Sequence, residues 1–199
     1  MGKGEATRAR LLRAAAEEFA AYGIAGSRVD RIAANAQANK AQLYAYFGSK
    51  ENLFEVVFAA FLDGIMNAVP IDATDLPDYA VRLYNEYLVH PDLVRLATWA
   101  RLERTPAGHL VGHADRLDEG KLANIASAQE AGLVDPELDP FEILTTVIAL
   151  SMTWSPASTT YAATAAEGED VHQRRREILT RLVRRAFAPS SGPVPAPGN

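Results

Sequence analysis

The chain is predicted to be all-α, with about nine helices: an N-terminal unit of three helices, then a longer helical body. Three observations lead there. Apolar residues recur three and four positions apart along nearly the whole chain, and no stretch alternates as a half-buried strand would. Proline- and glycine-bearing breaks at Pro70, His90-Pro91, Thr105 to Gly108 and Asp135 to Pro140 cut it into helix-length pieces. With 199 residues, 48% of them hydrophobic, the chain can bury a sizeable core. The absence of cysteine excludes disulfides, thiolate catalysis and cysteine-ligated zinc. No signal-peptide pattern opens the chain and no stretch approaches the roughly 18 apolar residues of a membrane span, so a soluble cytoplasmic protein is expected.

The first helix carries Leu11, Leu12, Ala15, Phe19 and Tyr22 as one stripe, and Gly23 follows as its C-cap. Ser27 and Asp30 form an S-x-x-D capping pattern before a short helix with Val29, Ile32 and Ala33. Asn35 to Ala38 is a turn, Asn39 an N-cap, and Leu43 and Phe47 lie four apart on the inner face of the next helix. Ser49 caps a long amphipathic helix through Leu53, Phe54, Val57, Phe58, Phe61, Ile65 and Val69, which Pro70 ends.

Beyond Pro77 the spacing predicts one helix with Tyr79, Leu83, Tyr84 and Tyr87, a second with Leu93, Leu96, Trp99 and Leu102, and a third around 110–131. Phe141 to Trp154 is apolar nearly all round, the mark of a helix buried on more than one face. The last helix sets Ile178, Leu179, Leu182, Val183, Ala186 and Phe187 against six arginines between 174 and 185. Residues 189–199 have the composition of a disordered tail. These breaks suggest a head at 1–50 and a body at 51–188.

Net charge is −5, but it is split: residues 1–50 hold eight Lys or Arg against four acids, a balance of +4, and residues 51–199 hold twelve against twenty-one, a balance of −9. A basic end on an acidic body points to nucleic-acid contact through that end, since phosphate neutralisation needs only a local positive patch. Two short helices joined by about four residues can present the second to a major groove while the first crosses the backbone. Lys40 and Gln42 can donate to base edges or phosphates, Tyr44 and Tyr46 can offer hydroxyls to phosphate, and Lys50 can meet a phosphate beyond the helix end. Ser27 and Arg28 stand where free backbone N–H groups favour an anion. On spacing alone an ordinary helical hairpin with half-buried tyrosines stays equally open.

The run VDRIAANAQANKAQLYAYFGSKENLFEVV resembles the helix-turn-helix signature of the tetracycline-repressor (TetR) family, over roughly residues 8 to 58. The resemblance implies that positions 28, 40, 42, 44, 46 and 50 face DNA while Leu43 and Phe47 hold the recognition helix to the core. It also implies a ligand cavity in the body, and a homodimer formed by the last two helices. Such a protein is a transcription regulator, released from a palindromic operator in double-stranded DNA by a small-molecule effector. The chain departs from the family pattern at Gln37, where glycine is common, at Asn39 to Ala41, where Ser-Lys-Gly is common, and at Arg28, where Thr or Ser is frequent. A non-glycine at a positive-φ turn position bears about 1 kcal/mol of strain unless the turn is shaped differently.

Large apolar side chains with a few polar tips line typical ligand sites, which selects Phe61, Tyr84, Trp99, Leu102, Ile125 and Met152, with Trp154 as a further aromatic. His109 and His113 share a helix spacing, but no third ligand accompanies them, so no metal and no cofactor is expected. The arginines at 174–185 are read as a solvated face. Two alternatives remain: a helical ligand-binding dimer without DNA-binding activity, and an enzyme using the helical cavity with His109 or His113 as base.

Overall fold

The computed structural model describes residues 3–110 and 114–189. Among these every regular element is helical: α1 Lys3–Gly26, α2 Val29–Asn35, α3 Lys40–Phe47, α4 Lys50–Ala68, α5 Leu76–Val89, α6 Pro91–Glu103, α7 Ala114–Glu130, α8 Pro140–Ser151 and α9 Glu169–Phe187, with a 3₁₀ turn at Ala73–Asp75. The breaks fall where the prolines and caps put them. Ser49 Oγ accepts from the Asn52 N–H (3.0 Å) to start α4, and Asp139 accepts from the N–H groups of Phe141 and Glu142 to start α8.

Two apolar cores result. The first joins α1 to α3 with the beginning of α4 and with Leu96 and Ala100 of α6; it is built on Leu11, Phe19, Ile32, Leu43 and Phe54. The second fills the body around Tyr79, Leu83, Tyr84, Ile125, Ile143, Val147, Leu179 and Val183. Phe61 on α4 packs against both.

α6 lies along α1 and grips its end. Arg95 Nε and Trp99 Nε1 both donate to the Ala20 carbonyl, and Glu103 Oε2 accepts from the Ala25 N–H at 2.8 Å. Gly23 bends the chain there at φ +72°, and a Cβ on it would stand 2.9 Å from Trp99 Cε3. Glycine is therefore required twice over, by the dihedral and by the contact.

Several expectations need correction. Tyr22 is exposed rather than in the stripe; its ring lies under the Arg31 guanidinium, 4.3 Å from the centroid. The Ser27–Asp30 capping box does not form, because Ser27 is buried and directs its hydroxyl at the Ile24 carbonyl, 2.8 Å away. α8 stops at Ser151, so Trp154 belongs to the irregular segment that leads to α9. On α9, Leu179, Val183 and Phe187 face inward while Ile178 and Leu182 are exposed. Arg175 leaves the solvated arginine face and is buried. His113 and residues 190–199, most of the expected tail, lie outside the described residues.

Candidate DNA-binding interface

α3 is an eight-residue helix fixed at both ends. Asn39 Oδ1 accepts from the Gln42 N–H (2.8 Å) and Gln42 Oε1 accepts from the Asn39 N–H (3.1 Å), a reciprocal capping box of which the sequence predicts the Asn39 half. Gly48, at φ +73°, closes the other end by donating to the Tyr44 carbonyl. The inner face, Leu43 and Phe47, is buried. The outer face is Lys40, Ala41, Gln42, Tyr44, Ala45 and Tyr46, all exposed.

Both tyrosine rings point away from the core, with Tyr44 46% and Tyr46 41% exposed. The Tyr46 hydroxyl donates to the Gly4 carbonyl at 3.1 Å, so it also holds the start of α1. Lys40 Nζ lies 2.8 Å from Asp30 Oδ1; that hydrogen bond and charge raise its pKa and keep it protonated. Gln42 has one role the sequence did not assign it, the cap, which fixes its side chain through Oε1. Arg28 is exposed at the N-terminus of α2.

Two residues expected at the phosphate surface are committed elsewhere. Lys50 Nζ donates to the carbonyls of Ile24 (2.8 Å), Ser27 (3.3 Å) and Ala25 (3.5 Å), so it ties α4 to the corner between α1 and α2. Its charge meets the C-terminal carbonyls of α1, where a cation is favoured. Ser27 is buried in the same corner. The anion expected beside Ser27 and Arg28 comes from the chain itself: Glu18 Oε1 accepts from the Arg28 N–H at 2.8 Å and pairs with Arg31.

Glu18, Arg31 and Arg10 are the supports that sequence reasoning passed over. Glu18 sits on the inward positions of α1, three after Ala15, where an acid must find a partner. Arg10 Nε donates to the Ala36 carbonyl at 2.9 Å and braces the turn between α2 and α3. In that turn Gln37 has φ +51°, so the chain accepts the left-handed conformation without glycine.

In the body, Phe61, Tyr84, Ile125 and Met152 belong to or pack on the second core, as a pocket wall would require. Trp99 and Leu102 do not join them. Trp99 is turned toward α1, where its indole donates to Ala20, and Leu102 is 67% exposed because α6 buries its opposite face. A cavity of about 290 Å³ opens between the 3₁₀ turn, Leu133-Val134 and the end of α9, lined by Leu76, Val183 and Phe187 among others. None of the six expected lining residues reaches it. His109 packs edge-on against Phe141, and the described residues contain no group of three or more acids and histidines placed to hold a metal. No helix among them is long and apolar enough to cross a membrane.

A short, doubly capped helix with a buried seam and an outward row of donors, cradled by a second helix across a four-residue turn, defines a helix-turn-helix protein built to lie on DNA. Residues 11–57 match the model for bacterial regulatory proteins of the tetR family, and residues 75–185 match the tetracyclin repressor-like C-terminal domain. The chain belongs to the TetR family of transcription regulators. It is 38% identical over 149 residues to the HTH-type transcriptional repressor SCO4008 of Streptomyces coelicolor, covering 74% of this chain and 77% of that one. The crystal structure of the transcriptional regulator SCO4942, also from Streptomyces coelicolor, superposes with a TM-score of 0.76 at 37% identity, over 91% of this chain and 98% of that one. A gamma-butyrolactone receptor shares the fold at 19% identity, with a TM-score of 0.65 over 96% of this chain and 92% of that one.

Proposed function

We propose that the chain is a homodimeric repressor that grips a palindromic operator through α3 and lets go when a small molecule enters its body. The observation that carries this reading is the division of α3 into a buried seam, Leu43 and Phe47, and an exposed row of Lys40, Gln42, Tyr44 and Tyr46. Arg28, Asn39 and this row are its DNA-contacting residues, while Ser27 and Lys50 act as positioning residues at the α1–α2 corner. Residues 1–50 are the reading head and 51–188 the receptor; the protein works by binding, in the cytoplasm, and catalyses nothing.

One α3 reads too few base pairs for specificity, and a two-fold pair reads half-sites about one turn apart. Phe141 on α8 and Ile178 and Leu182 on α9 are exposed apolar residues on neighbouring helices, a face suited to a second copy. The release step runs through the corner held by Lys50 from α4 and by Trp99 and Glu103 from α6. A shift of either helix moves the end of α1 and with it α3. The ligand must favour the shifted form by several kcal/mol to move most of the population.

Selection of bound sequences from a random DNA pool tests the proposal. Enrichment of one palindrome supports it, and its loss on adding cell extract supports the effector. Recovery of no preferred sequence leaves a helical ligand-binding protein without DNA-binding activity and overturns it.

A further inference from the structure

The segment from Met152 to Gly168 joins α8 to α9 as a strap without a regular element, and its Trp154, Tyr161 and Glu167 lie against a buried polar cluster on α9. His172 is 4% exposed and Arg175 9%, three positions apart on the inner face of α9. The Tyr84 hydroxyl lies 2.7 Å from His172 Nδ1. The Arg175 guanidinium stands over the rings of Trp154 (5.7 Å) and Tyr161 (5.3 Å), and its Nη2 donates to Glu167 Oε2 at 2.7 Å. Burial works against the Arg175 charge, but Tyr84 and Glu167 beside it more than offset this and its pKa stands above the usual value.

Two buried nitrogens remain without a hydrogen-bond partner, His172 Nε2 and Arg175 Nη1. When Tyr84 donates to Nδ1, Nε2 carries the ring proton, and both orphans are donors. Leaving a buried donor unsatisfied is costly, so such groups call for an explanation. Tyr84 and Trp154, which touch His172 and Arg175, also line a narrow cleft with Tyr87, Leu88, Pro156 and the buried Ser151 and Ser155, nowhere wide enough to admit a water. It is a mainly apolar slot that shares two of its walls, Tyr84 and Trp154, with the residues that carry the unmet donors.

We propose that this cluster is the effector site and that it takes a small organic acid with a flat apolar body. The carboxylate accepts from Arg175 Nη1 and His172 Nε2, and the body slides between Trp154 and Tyr84 as the strap swings out. Glu167 serves as the internal stand-in: it gives Arg175 a carboxylate while the site is empty and so ties the strap to α9, while its other oxygen accepts from the Thr164 N–H within the strap at 2.9 Å. A carboxylate arriving on Nη1 sets a second negative charge beside Glu167 on Nη2, and that repulsion couples binding to release of the strap. The inference rests on the ligand-responsive reading and names the ligand class and the place.

The test uses full-length protein carrying Trp99→Phe, so that Trp154 alone reports, titrated with 2-naphthoate and with neutral 2-naphthamide by fluorescence. The acid is expected to bind about tenfold or more tighter than the amide, the value of one charge-assisted hydrogen bond. Glu167→Gln should tighten naphthoate severalfold by removing the neighbouring negative charge, and Arg175→Gln should abolish the preference for the acid. Because Arg175→Gln can fail to fold, circular dichroism melts accompany it, and Glu167→Gln stands as the independent arm. Equal binding of acid and amide, or binding of neither by the Glu167→Gln protein, overturns the proposal. If an operator is still selected and released by cell extract, the regulator reading survives that failure; if no operator is selected, the regulator reading fails whatever naphthoate does.

Discussion

The two cores both bury hydroxyls against helix carbonyls, Ser27 on Ile24 and Ser151 on Val147, but differ in how completely their buried charged and ring groups are met. In the head the buried acid, Glu18, meets both Arg31 and the Arg28 N–H. Six buried alanines, at 14, 15, 16, 20, 33 and 36, let its helices approach one another closely. The body packs Tyr79, Tyr84 and Tyr87 instead, keeps two donors unmet and carries both the slot and the larger cavity. A satisfied core has one arrangement, whereas an unsatisfied one gains something by rearranging. Rigidity sits where DNA geometry must be held, and adaptability where a ligand must be felt.

The largest effect should come from breaking the joint between them. Gly23→Val forces a β-branched residue to a positive φ and drives its side chain into Trp99, and each effect costs about one or more kcal/mol. A loss of about 3 kcal/mol in denaturant unfolding is expected, with operator binding lost too. A variant as stable as the parent would mean that α6 does not clamp α1. Next comes Tyr44→Ala, on the exposed face: about tenfold weaker operator binding in gel-shift titrations, with the melting temperature unchanged. A change in melting temperature without a change in affinity would make Tyr44 a packing residue after all.

A smaller effect separates two lysines that look alike in the sequence. Lys40 is exposed on the outer face, and Lys50 is tied to three carbonyls. Lys40→Met should flatten the slope of log affinity against log salt by about 2 for a dimer, one counter-ion per protomer. Lys50→Met should weaken binding by loosening the α1–α2 corner and leave the slope unchanged. Equal flattening by both would return Lys50 to the phosphate surface.

These lysines also mark how far the sequence can be read. Helix order, the Asn39 cap and the inward pair Leu43 and Phe47 follow from local patterns of a few residues, and the structure keeps them. The role of Lys50 escapes such a reading because its partners lie about 25 positions earlier, in a corner no local pattern reveals. Glu18, Arg175 and His172 do carry a signal. Counting back from Phe187 by fours through Val183 and Leu179 lands on Arg175, and three further on His172; a charge at such inward positions announces a buried partner. Trp99 and Leu102, expected as pocket wall, stand apart from the second core for a different reason. An apolar residue on an amphipathic helix is assigned to the core, but which core depends on tertiary packing alone.

Leu102 gives the smallest effect and the sharpest check on that last point. Thr98 and Leu102 are four apart on α6, yet the polar Thr98 is partly buried while the apolar Leu102, on the last turn, is 67% exposed. An exposed leucine contributes little apolar burial, so Leu102→Gln should change unfolding free energy by no more than about 0.5 kcal/mol and leave operator release by effector intact. If the substitution instead blocks release while stability holds, Leu102 lines a cavity in the effector-bound form, α6 turns on its axis during the switch, and the clamp on α1 is the moving part rather than the fixed one.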